Sequence, residues 1–369
     1  MQTMPQSLNS REPCKENRKL KRAVITGGAS FVGSHLVDAL VLDGYYVIVL
    51  DNLSSGRLQN LSDSIDKIDF LEFDISTSSF DELVHIIKFT KPEIIFHLSA
   101  IHGGRGYIST HEADVLEDQI MNFRMFKIAS ELKIPVVYSS SACVYPTRLQ
   151  EGRQNIHLTE DMLDLEHIES DESYGKSKAF AELQLQCFAK QYGLNSIALR
   201  FVTAYGPREN ETHMLPAFCY KALCQQDPFE IIGDGETQRR DLTYVSDIVS
   251  GCMAAAKCLL DGRFKDGSDC RGYEAINLGT GQDYSTNEVA ENTFRLLNWR
   301  PHEIKYLNDL PTGVDQRILD NTKACRLLGW LPEVQLSEGQ RLTIEWMRSN
   351  TKYEIGKLRK ERLWERTSV

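Results

Sequence analysis

The sequence predicts an α/β fold, in which a doubly wound parallel sheet is followed by a smaller C-terminal α/β lobe. Short apolar runs alternate with amphipathic segments through the first 200 residues, which is typical of a parallel sheet covered by helices on both faces. Beyond Arg200 the pattern becomes irregular, with Gly-Pro, Gly-Asp-Gly and Asp-Gly breaks. Strands are predicted over 23–26, 46–50, 68–73, 94–98, 136–140 and 196–199, and helices over 80–89, 113–132 and 174–192.

The opening segment has the pattern of a dinucleotide-binding Rossmann unit. An apolar run over 23–26 precedes Gly-Gly-Ala-Ser-Phe-Val-Gly over 27–33, an amphipathic helix ended by Gly44, and a second strand that ends in Asp51. Glycines let the backbone approach a pyrophosphate at a helix N-terminus, and the acid can bind the adenosine ribose hydroxyls. Because a carboxylate repels a 2′-phosphate, the pattern favours NAD over NADP, a preference that Arg57 would soften. The predicted cofactor-binding residues of this unit are Gly27, Ser30, Phe31, Val32, Gly33, Asp51, Asn52 and Arg57.

A second pattern predicts redox chemistry on a hydroxyl group. Tyr174 and Lys178 lie four residues apart, which puts them on one face of a helix. An ammonium there stabilises the phenolate. Ser141, at the end of a predicted strand, can share the substrate proton. Such a set removes a proton from a sugar hydroxyl while a nicotinamide takes the hydride.

Together these segments resemble the extended short-chain dehydrogenase/reductase family, specifically its nucleotide-sugar epimerases and dehydratases, from about residue 22 to about residue 346. The resemblance implies that Asp74 and Ile75 contact the adenine, and that Leu98, Ser99 and Ala100 lie near the nicotinamide ribose together with Tyr174 and Lys178. Ser30 departs from the family, which commonly has glycine there, and we expect it to weaken or reposition one cofactor contact.

The residues after Ser141 indicate the type of reaction. Dehydratases and decarboxylases of the family carry carboxylates there, whereas this chain has Ala142 and Cys143. Ser-Ser-Ala-Cys-Val-Tyr-Pro instead resembles GDP-mannose 3,5-epimerases, in which the matching cysteine is an acid/base group. The partner lysine of those enzymes corresponds to His213, and His102 is a rival for that role. Thiol and imidazole groups both titrate near neutrality, so both suit proton transfer.

The resemblance also implies a set of substrate-binding residues. A glycine-rich loop follows His102, and Arg240 closes a Gly-Asp-Gly segment of the family that binds pyrophosphate. Arg317 resembles a second phosphate-binding arginine, and Thr203 replaces an asparagine that contacts the sugar nucleotide. The predicted set is His102, Gly103, Gly104, Arg105, Thr203, Lys221, Arg240 and Arg317.

The sequence therefore predicts an NAD-dependent nucleotide-diphospho-sugar epimerase that forms a transient 4-keto sugar. Cys143 and His213 would exchange protons at carbon 5, carbon 3 or both, with a GDP-linked sugar as the first guess. The alternative is a simple 4-epimerase, in which Cys143 only packs. A dehydratase and a non-catalytic nucleotide sensor are further alternatives.

Composition and resemblance bound the partners and the domains. The net charge of −10 argues against non-specific nucleic-acid binding, and no apolar run is long enough for a membrane span. Nine scattered cysteines without a C-x-x-C pair predict reduced thiols in the cytoplasm and no metal. The family pairs the helices predicted over 113–132 and 174–192 across a homodimer. The predicted division is a disordered tail over 1–20, an NAD-binding domain over 21–200 with a returning segment near 241–262, a substrate-binding lobe over 201–240 and 263–350, and a polar tail over 351–369.

Overall fold

A computed structural model describes residues 21–350, apart from residues 104 and 153. The two tails predicted over 1–20 and 351–369 lie outside the described residues. So does Gly104 of the predicted substrate loop, together with the side chain of Arg105.

The larger of the sheets has seven parallel strands and confirms the predicted fold class. Its order is β11-β7-β5-β4-β1-β2-β3, so the chain winds outward in both directions from β1. The strands are β1 (Arg22–Thr26), β2 (Tyr46–Asp51), β3 (Ile68–Glu72), β4 (Ile94–His97), β5 (Val136–Ser141), β7 (Ser196–Phe201) and β11 (Tyr273–Leu278).

Helices cover both faces of this sheet, so the side chains on both faces of its strands are mostly apolar. In β1, Ala23, Val24 and Ile25 are fully buried, with Val24 in one apolar cluster and its two neighbours in another. One face is covered by α1 (Phe31–Leu42) and α8 (Val245–Asp261), and the other by α2 (Phe80–Thr90), α5 (Asp118–Leu132) and α6 (Glu172–Tyr192).

The helix predicted over 113–132 is wrong as a single element. The structure divides it into α4 (Glu112–Leu116) and α5, after a short α3 (Arg105–Thr110). The N–H groups of Glu117 and Ile120 bond three residues back, to Asp114 and Glu117, which tightens the chain at the junction. The junction turns the carboxylate of Asp118 inward, where it accepts a hydrogen bond from the N–H of Ile101.

The smaller lobe is built on a five-stranded sheet and a separate two-stranded one. The predicted division is wrong at two strands. β11 lies within 263–350 and yet forms the edge of the large sheet, where it pairs with β7, and the short strand at 157–158 lies within 21–200 and yet joins the five-stranded sheet. The remaining strands are β6 (His157–Leu158), β8 (Thr203–Tyr205), β9 (Phe229–Ile232), β10 (Arg239–Tyr244), β12 (Asp283–Ser285), β13 (Ile304–Leu307) and β14 (Gln316–Leu319). The remaining helices are α7 (Met214–Leu223), α9 (Thr286–Leu297), α10 (Thr322–Leu328) and α11 (Leu336–Ser349).

None of the helices within residues 21–350 is both long and apolar enough to cross a membrane.

Candidate active site

The glycine-rich turn after β1 is closed so tightly that side chains are excluded at two positions. Gly27 has φ of +70°, and a Cβ added there would lie 2.8 Å from the backbone nitrogen of Ser99. A Cβ on Gly33 would lie 2.1 Å from the carbonyl oxygen of Gly27. The backbone of the first turn of α1, which contains Phe31 and Val32, therefore packs directly against the backbone of the turn that follows β1. This is the cradle that a pyrophosphate requires.

Ser30 fits this turn without opening it. Its hydroxyl donates a hydrogen bond to the carbonyl oxygen of Gly27 at 2.6 Å, so the side chain folds back into the turn. The position that is commonly glycine in the family is thus filled by a group that stabilises the turn itself.

Asp51 ends β2 and is almost fully buried. One carboxylate oxygen accepts from the N–H of Ala29 at 2.9 Å and the other from the N–H of Leu53 at 2.8 Å. Burial raises its pKa, and these two hydrogen bonds oppose the rise. The carboxylate is therefore fixed beside the glycine turn, where a ribose hydroxyl can donate to its remaining lone pairs.

The neighbouring predicted cofactor residues form their own contacts. The side-chain amide of Asn52 donates to Asp74 at 2.9 Å. Burial disfavours the charge of Asp74, but hydrogen bonds from Ser76 and Asn52 prevail, so its pKa is lowered. Arg57 forms an ion pair with Glu211 at 3.7 Å, so its charge has a partner from the smaller lobe. The residues present fit a dinucleotide, because a side-chain-free cradle and a fixed acid stand at adjacent strand ends.

The end of β4 is held by a buried histidine. His97 bonds through Nδ1 to the hydroxyl of Thr26 at 2.7 Å and through Nε2 to the side-chain oxygen of Asn122 at 3.0 Å. Burial and then the charge of Lys178 lower its pKa to about 3, so the imidazole is neutral. The N–H groups of Leu98 and Ser99 both lie 3.2 Å from Thr26 oxygen atoms, which fixes the backbone that leads to Ala100.

Tyr174 and Lys178 share one face at the start of α6, as their spacing predicts. The Lys178 ammonium is buried, donates to the carbonyl oxygen of Ser139 at 2.9 Å, and lies 5.8 Å from the centre of the Tyr174 ring. Burial lowers the pKa of Lys178, and Asp118 opposes that shift. Burial raises the pKa of Tyr174, with Cys143 and Asp118 adding to the rise and a hydrogen bond with Ser141 opposing it. The predicted Ser–Tyr–Lys set is brought together.

Asp118 is a member of this site that the sequence reasoning missed. It is 1% exposed, and within the described residues only one of its oxygens has a hydrogen-bond partner, the N–H of Ile101 at 2.6 Å. Burial raises its pKa to about 6, although the charge of Lys178 pulls in the other direction. A signal was available, because Asp118 falls on the helical face that Val115 and Met125 mark as buried.

Cys143 lies in the turn after β5, in contact with Arg317. Its N–H donates to the hydroxyl of Ser141 at 3.2 Å, and its sulfur accepts from Nη1 of Arg317 at 2.9 Å. The turn packs so closely on α6 that a Cβ at Gly175 would lie 2.2 Å from the carbonyl oxygen of Cys143. The thiol and the Ser141–Tyr174 pair are therefore neighbours and form one wall of the candidate site.

The guanidinium of Arg317 is buried and fully engaged in this wall. Its Nε donates to Gln150 at 2.6 Å and its Nη2 to Asp171 at 2.9 Å. Burial disfavours its charge, but Cys143 and Asp171 more than compensate, so its pKa is raised. The arginine predicted to bind phosphate thus contacts the thiol, and sequence reasoning did not link the two residues.

His213 and His102 come from two further segments, the first leading into α7 and the second following β4. His213 directly precedes α7, and its Nδ1 lies 3.0 Å from the carboxylate of Glu209. Burial lowers its pKa, but the bond and charge of Glu209 prevail and the pKa is raised. His102 is partly exposed, but the protein around it disfavours its charge and, with smaller contributions from His213 and Lys178, lowers its pKa to about 4. His102 therefore lies close enough to His213 and Lys178 for their charges to affect its pKa. Glu209, the partner of His213, was not predicted from the sequence.

The remaining predicted substrate residues have contacts of their own. Arg240 donates to the main-chain carbonyl oxygens of Thr312, Val314 and Asp315, the shortest bond being 2.6 Å to Val314. Lys221 donates to the carbonyl oxygen of Glu230 at 2.9 Å. Thr203 pairs with Leu242 in the smaller sheet. Each of the three is integrated into the smaller lobe.

Comparison with known proteins agrees with this geometry. The model of the NAD dependent epimerase/dehydratase family matches residues 23–263. A UDP-glucose 4-epimerase of Mycolicibacterium smegmatis is 30% identical over 89% of this chain and 99% of its own length. A GDP-mannose 3,5-epimerase of Arabidopsis thaliana is 30% identical over 93% of this chain and 85% of its own. The solved UDP-glucose 4-epimerase of Thermotoga maritima, with UDP-glucose, covers 89% of this chain and 99% of its own at 30% identity and a TM-score of 0.76.

The chain belongs to the NAD dependent epimerase/dehydratase family. It is an enzyme of the nucleotide-sugar epimerase type, and the predicted cofactor, NAD, is confirmed. The predicted likeness to GDP-mannose 3,5-epimerases is present, but UDP-glucose 4-epimerases are equally similar.

Proposed function

We propose that this enzyme epimerises a nucleotide-diphospho-sugar through a transient 4-keto sugar, with proton exchange at carbon 5, carbon 3 or both. The observation that carries the proposal is the position of the Cys143 thiol, which bonds Arg317 at 2.9 Å and adjoins the Ser141–Tyr174 pair. A simple 4-epimerase has no need of a second acid/base group at that point.

The first step is removal of the proton from the hydroxyl on carbon 4. Tyr174 is the base, because the buried ammonium of Lys178 stabilises its phenolate and Ser141 can pass the substrate proton to it. When bound, NAD supplies a reversible hydride acceptor, and Gly27, Gly33 and Asp51 would hold it. The resulting ketone acidifies the protons on carbons 3 and 5.

The second step is proton exchange on the neighbouring carbons. Cys143 removes or delivers a proton on one face of the sugar, and the guanidinium of Arg317 stabilises negative charge that develops on its sulfur. His213 acts on the other face, with Glu209 stabilising the imidazolium. Inversion requires two such groups, because a single one returns the proton to the face from which it came.

A simple 4-epimerase is the second candidate function, and the similarity to UDP-glucose 4-epimerases supports it. The same relatives make a UDP-linked sugar as strong a candidate as the GDP-linked one. In this case the Cys143–Arg317 contact only stabilises the wall of the cleft.

NMR of the enzyme with a panel of UDP- and GDP-sugars in deuterated water separates the two functions. The proposal expects deuterium at carbon 3 or carbon 5, with exchange reduced about 10²–10⁴-fold in Cys143→Ala, the usual contribution of an acid/base group. Cys187→Ala, which removes an exposed thiol on α6, is the matched control and should retain exchange. Inversion at carbon 4 without deuterium uptake contradicts the Cys–His chemistry and leaves the 4-epimerase.

We further propose a homodimer that pairs α5 and α6 with the same helices of a second copy. The two helices pack on each other and expose apolar side chains on their outer surface, which supports an interface there. These side chains, all at least 44% exposed, are Ile120, Phe123, Phe180 and Tyr192. Sedimentation equilibrium should give a dimer that Phe180→Glu dissociates and that Phe89→Glu, an exposed change on α2, leaves intact. A monomeric wild type contradicts the proposal.

The cysteines support the cytoplasmic location that we propose. The eight cysteines of the described residues are free thiols, as expected of a protein kept in a reducing compartment.

A further inference from the structure

Glu209 is a buried carboxylate between β8 and α7, on the segment that leads to His213. It is 5% exposed, and its Oε1 lies 3.0 Å from Nδ1 of His213. Within the described part of the chain its second oxygen has no partner. A carboxylate in such a place is costly unless a hydrogen bond or a charge compensates it, and here the imidazole supplies the hydrogen bond and, when protonated, also the charge.

We propose that Glu209 is a positioning residue that holds His213 in the tautomer protonated on Nδ1 and leaves Nε2 as its acid–base atom in the sugar cleft. This rests on the proposed function, in which His213 is the partner of Cys143. An ionised carboxylate can accept a hydrogen bond but cannot donate one, so the bond to Glu209 places a proton on Nδ1. Nε2 lies across the ring, away from Glu209, and is the nitrogen left to exchange a proton.

The segment that carries the pair is tied to the NAD-binding domain at three points. Nε2 of His35 donates to the carbonyl oxygen of Pro207 at 2.9 Å. Arg208 donates to Asp38 at 2.7 Å and to Asp63 at 3.1 Å. Glu211 pairs with Arg57.

The pair is also tied directly to α7. The carbonyl oxygen of His213 accepts from the N–H of Ala217 at 2.9 Å, which makes His213 the first carbonyl of the helix. The histidine is thus mounted on a rigid element at one end and on an ion-paired segment at the other, so little rotational freedom remains to be lost in the reaction.

The charged and titratable groups around His213 and His102 shift the pKa values of the two histidines in opposite directions. Glu209 faces Nδ1 and raises the pKa of His213 against the effect of burial. Burial, together with the nearby charges of His213 and Lys178, lowers the pKa of His102 to about 4. Arg208 is paired with Asp38 and Asp63, and Glu211 is paired with Arg57 through one carboxylate oxygen, so these nearby charges have partners other than Glu209 and His213.

The proton transfer balances without a further reactant. In one direction Nε2 takes the proton from the carbon beside the ketone: the C–H bond breaks, an N–H bond forms, and the electron pair moves to the keto oxygen as an enolate. In the other direction the imidazolium returns a proton to that carbon and the ketone is restored. Glu209 stabilises the imidazolium in both directions.

The test is the ¹⁵N NMR titration of His213 in the full chain, assigned by loss of its signals in His213→Asn. In the wild type the Nδ1 signal should stay protonated while Nε2 titrates. Glu209→Gln keeps the size of the side chain and removes its charge, so the midpoint should fall by roughly one pH unit or more. Glu211→Gln, a change of the same kind two residues away, should leave the midpoint where it is.

The pH profile of deuterium exchange supplies the second measurement, because a purely structural role would not move it. The limb that reports His213 should shift in Glu209→Gln by the same amount as the NMR midpoint. Glu209→Asp, which keeps the charge on a shorter side chain, should give an intermediate midpoint and covers the case in which Glu209→Gln does not fold.

An unchanged His213 midpoint in Glu209→Gln, or protonation of Nε2 rather than Nδ1 in the wild type, overturns the pairing. If the pairing holds but the wild type shows no deuterium uptake with any sugar, the proposed function fails, and with it the acid–base role assigned to Nε2. The NMR titration tests the pairing and deuterium uptake tests the proposed function, so the two failures are distinguished.

Discussion

Helix α6 carries two buried charged side chains one turn apart, and the protein treats them in opposite ways. Glu182 is fully buried and accepts four hydrogen bonds, two of them from the guanidinium of Arg200 and the others from Ser140 and Tyr273. Lys178 is buried to the same degree but donates to the carbonyl oxygen of Ser139 and otherwise faces aromatic rings. The Glu182 carboxylate is fully hydrogen-bonded, whereas within the described residues the Lys178 ammonium has N–H groups without a hydrogen-bond partner.

The difference separates charges that hold the fold from charges that perform chemistry. A carboxylate with all its lone pairs occupied cannot respond to a bound molecule, and its pKa is lowered because Arg200 outweighs the effect of burial. An ammonium with unused N–H groups can still bind a ribose hydroxyl and stabilise a phenolate. Asp118, with one oxygen unpartnered among the described residues, belongs with Lys178 in this respect.

The largest effect on stability is expected from a substitution of Glu182, the fully hydrogen-bonded charge. Glu182→Gln removes the charge that balances Arg200, which is only 2% exposed. Leaving one member of a buried ion pair costs about 3–5 kcal/mol in the free energy of unfolding. Urea denaturation followed by circular dichroism measures this loss.

The control for Glu182 is an ion pair at the surface. Glu169→Gln breaks the pair with Arg148, in which both side chains are more than half exposed, and should leave the urea midpoint nearly unchanged. Equal, small effects of the two substitutions would contradict the view that Glu182 is a structural charge.

The sequence predicted the large sheet well because its strands are buried on both faces. The runs predicted over 94–98 and 136–140 each open with three consecutive apolar residues, and the observed strands begin at the predicted residues and end within one residue of the predicted ends. The segment that forms β11 was assigned to the wrong lobe, because the residues of a strand do not determine which sheet the strand joins. The break between α4 and α5 was missed because both helices continue the same apolar face.

The next effect is expected at His97, which is saturated like Glu182 although it lies near Lys178. Its folded-state pKa is lowered to about 3, below the ordinary value of 6.5. The unfolded chain therefore binds a proton that the folded chain refuses, so the stability present above pH 6.5 is lost as pH falls toward 3. Between pH 7 and pH 5 the loss from this group is about 2 kcal/mol.

His97→Gln should remove that dependence. The difference in unfolding free energy between wild type and variant should shrink by about 2 kcal/mol from pH 7 to pH 5, as measured by urea denaturation at each pH. His85→Gln, at a ring on α2 that has no such burial, is the control and should track the wild type. A pH-independent difference for His97→Gln would mean that its imidazole is not held neutral.

The site was predicted to the extent that its residues share a local pattern. Ser141, Tyr174 and Lys178 were found because spacing on one helix and the end of one strand bring them together. Glu209 and Asp118 were missed because each is a single carboxylate whose partner is decided by how a segment turns. The contact between Arg317 and Cys143 joins residues far apart in the chain, and no spacing predicts it.

The smallest effect, a shift in the pH–activity profile, is expected from Asp118→Asn, which changes a carboxylate that is only partly hydrogen-bonded within the described residues. Asp118 lies near enough to Lys178 and Tyr174 to raise the pKa of both groups. Above pH 6 its carboxyl is ionised, since burial raises its own pKa only to about 6. Removing this charge lowers the pKa of Tyr174, so the limb of the pH–activity profile that reports deprotonation should move to lower pH by roughly one unit or less. Asp114→Asn, at an exposed carboxylate one turn earlier, is the control and should leave the limb in place. A limb that stays fixed in both variants would show that the carboxylate of Asp118 does not act on the Tyr174–Lys178 pair. The contrast between a fully hydrogen-bonded charge and a partly bonded one would then hold only for Glu182 and Lys178.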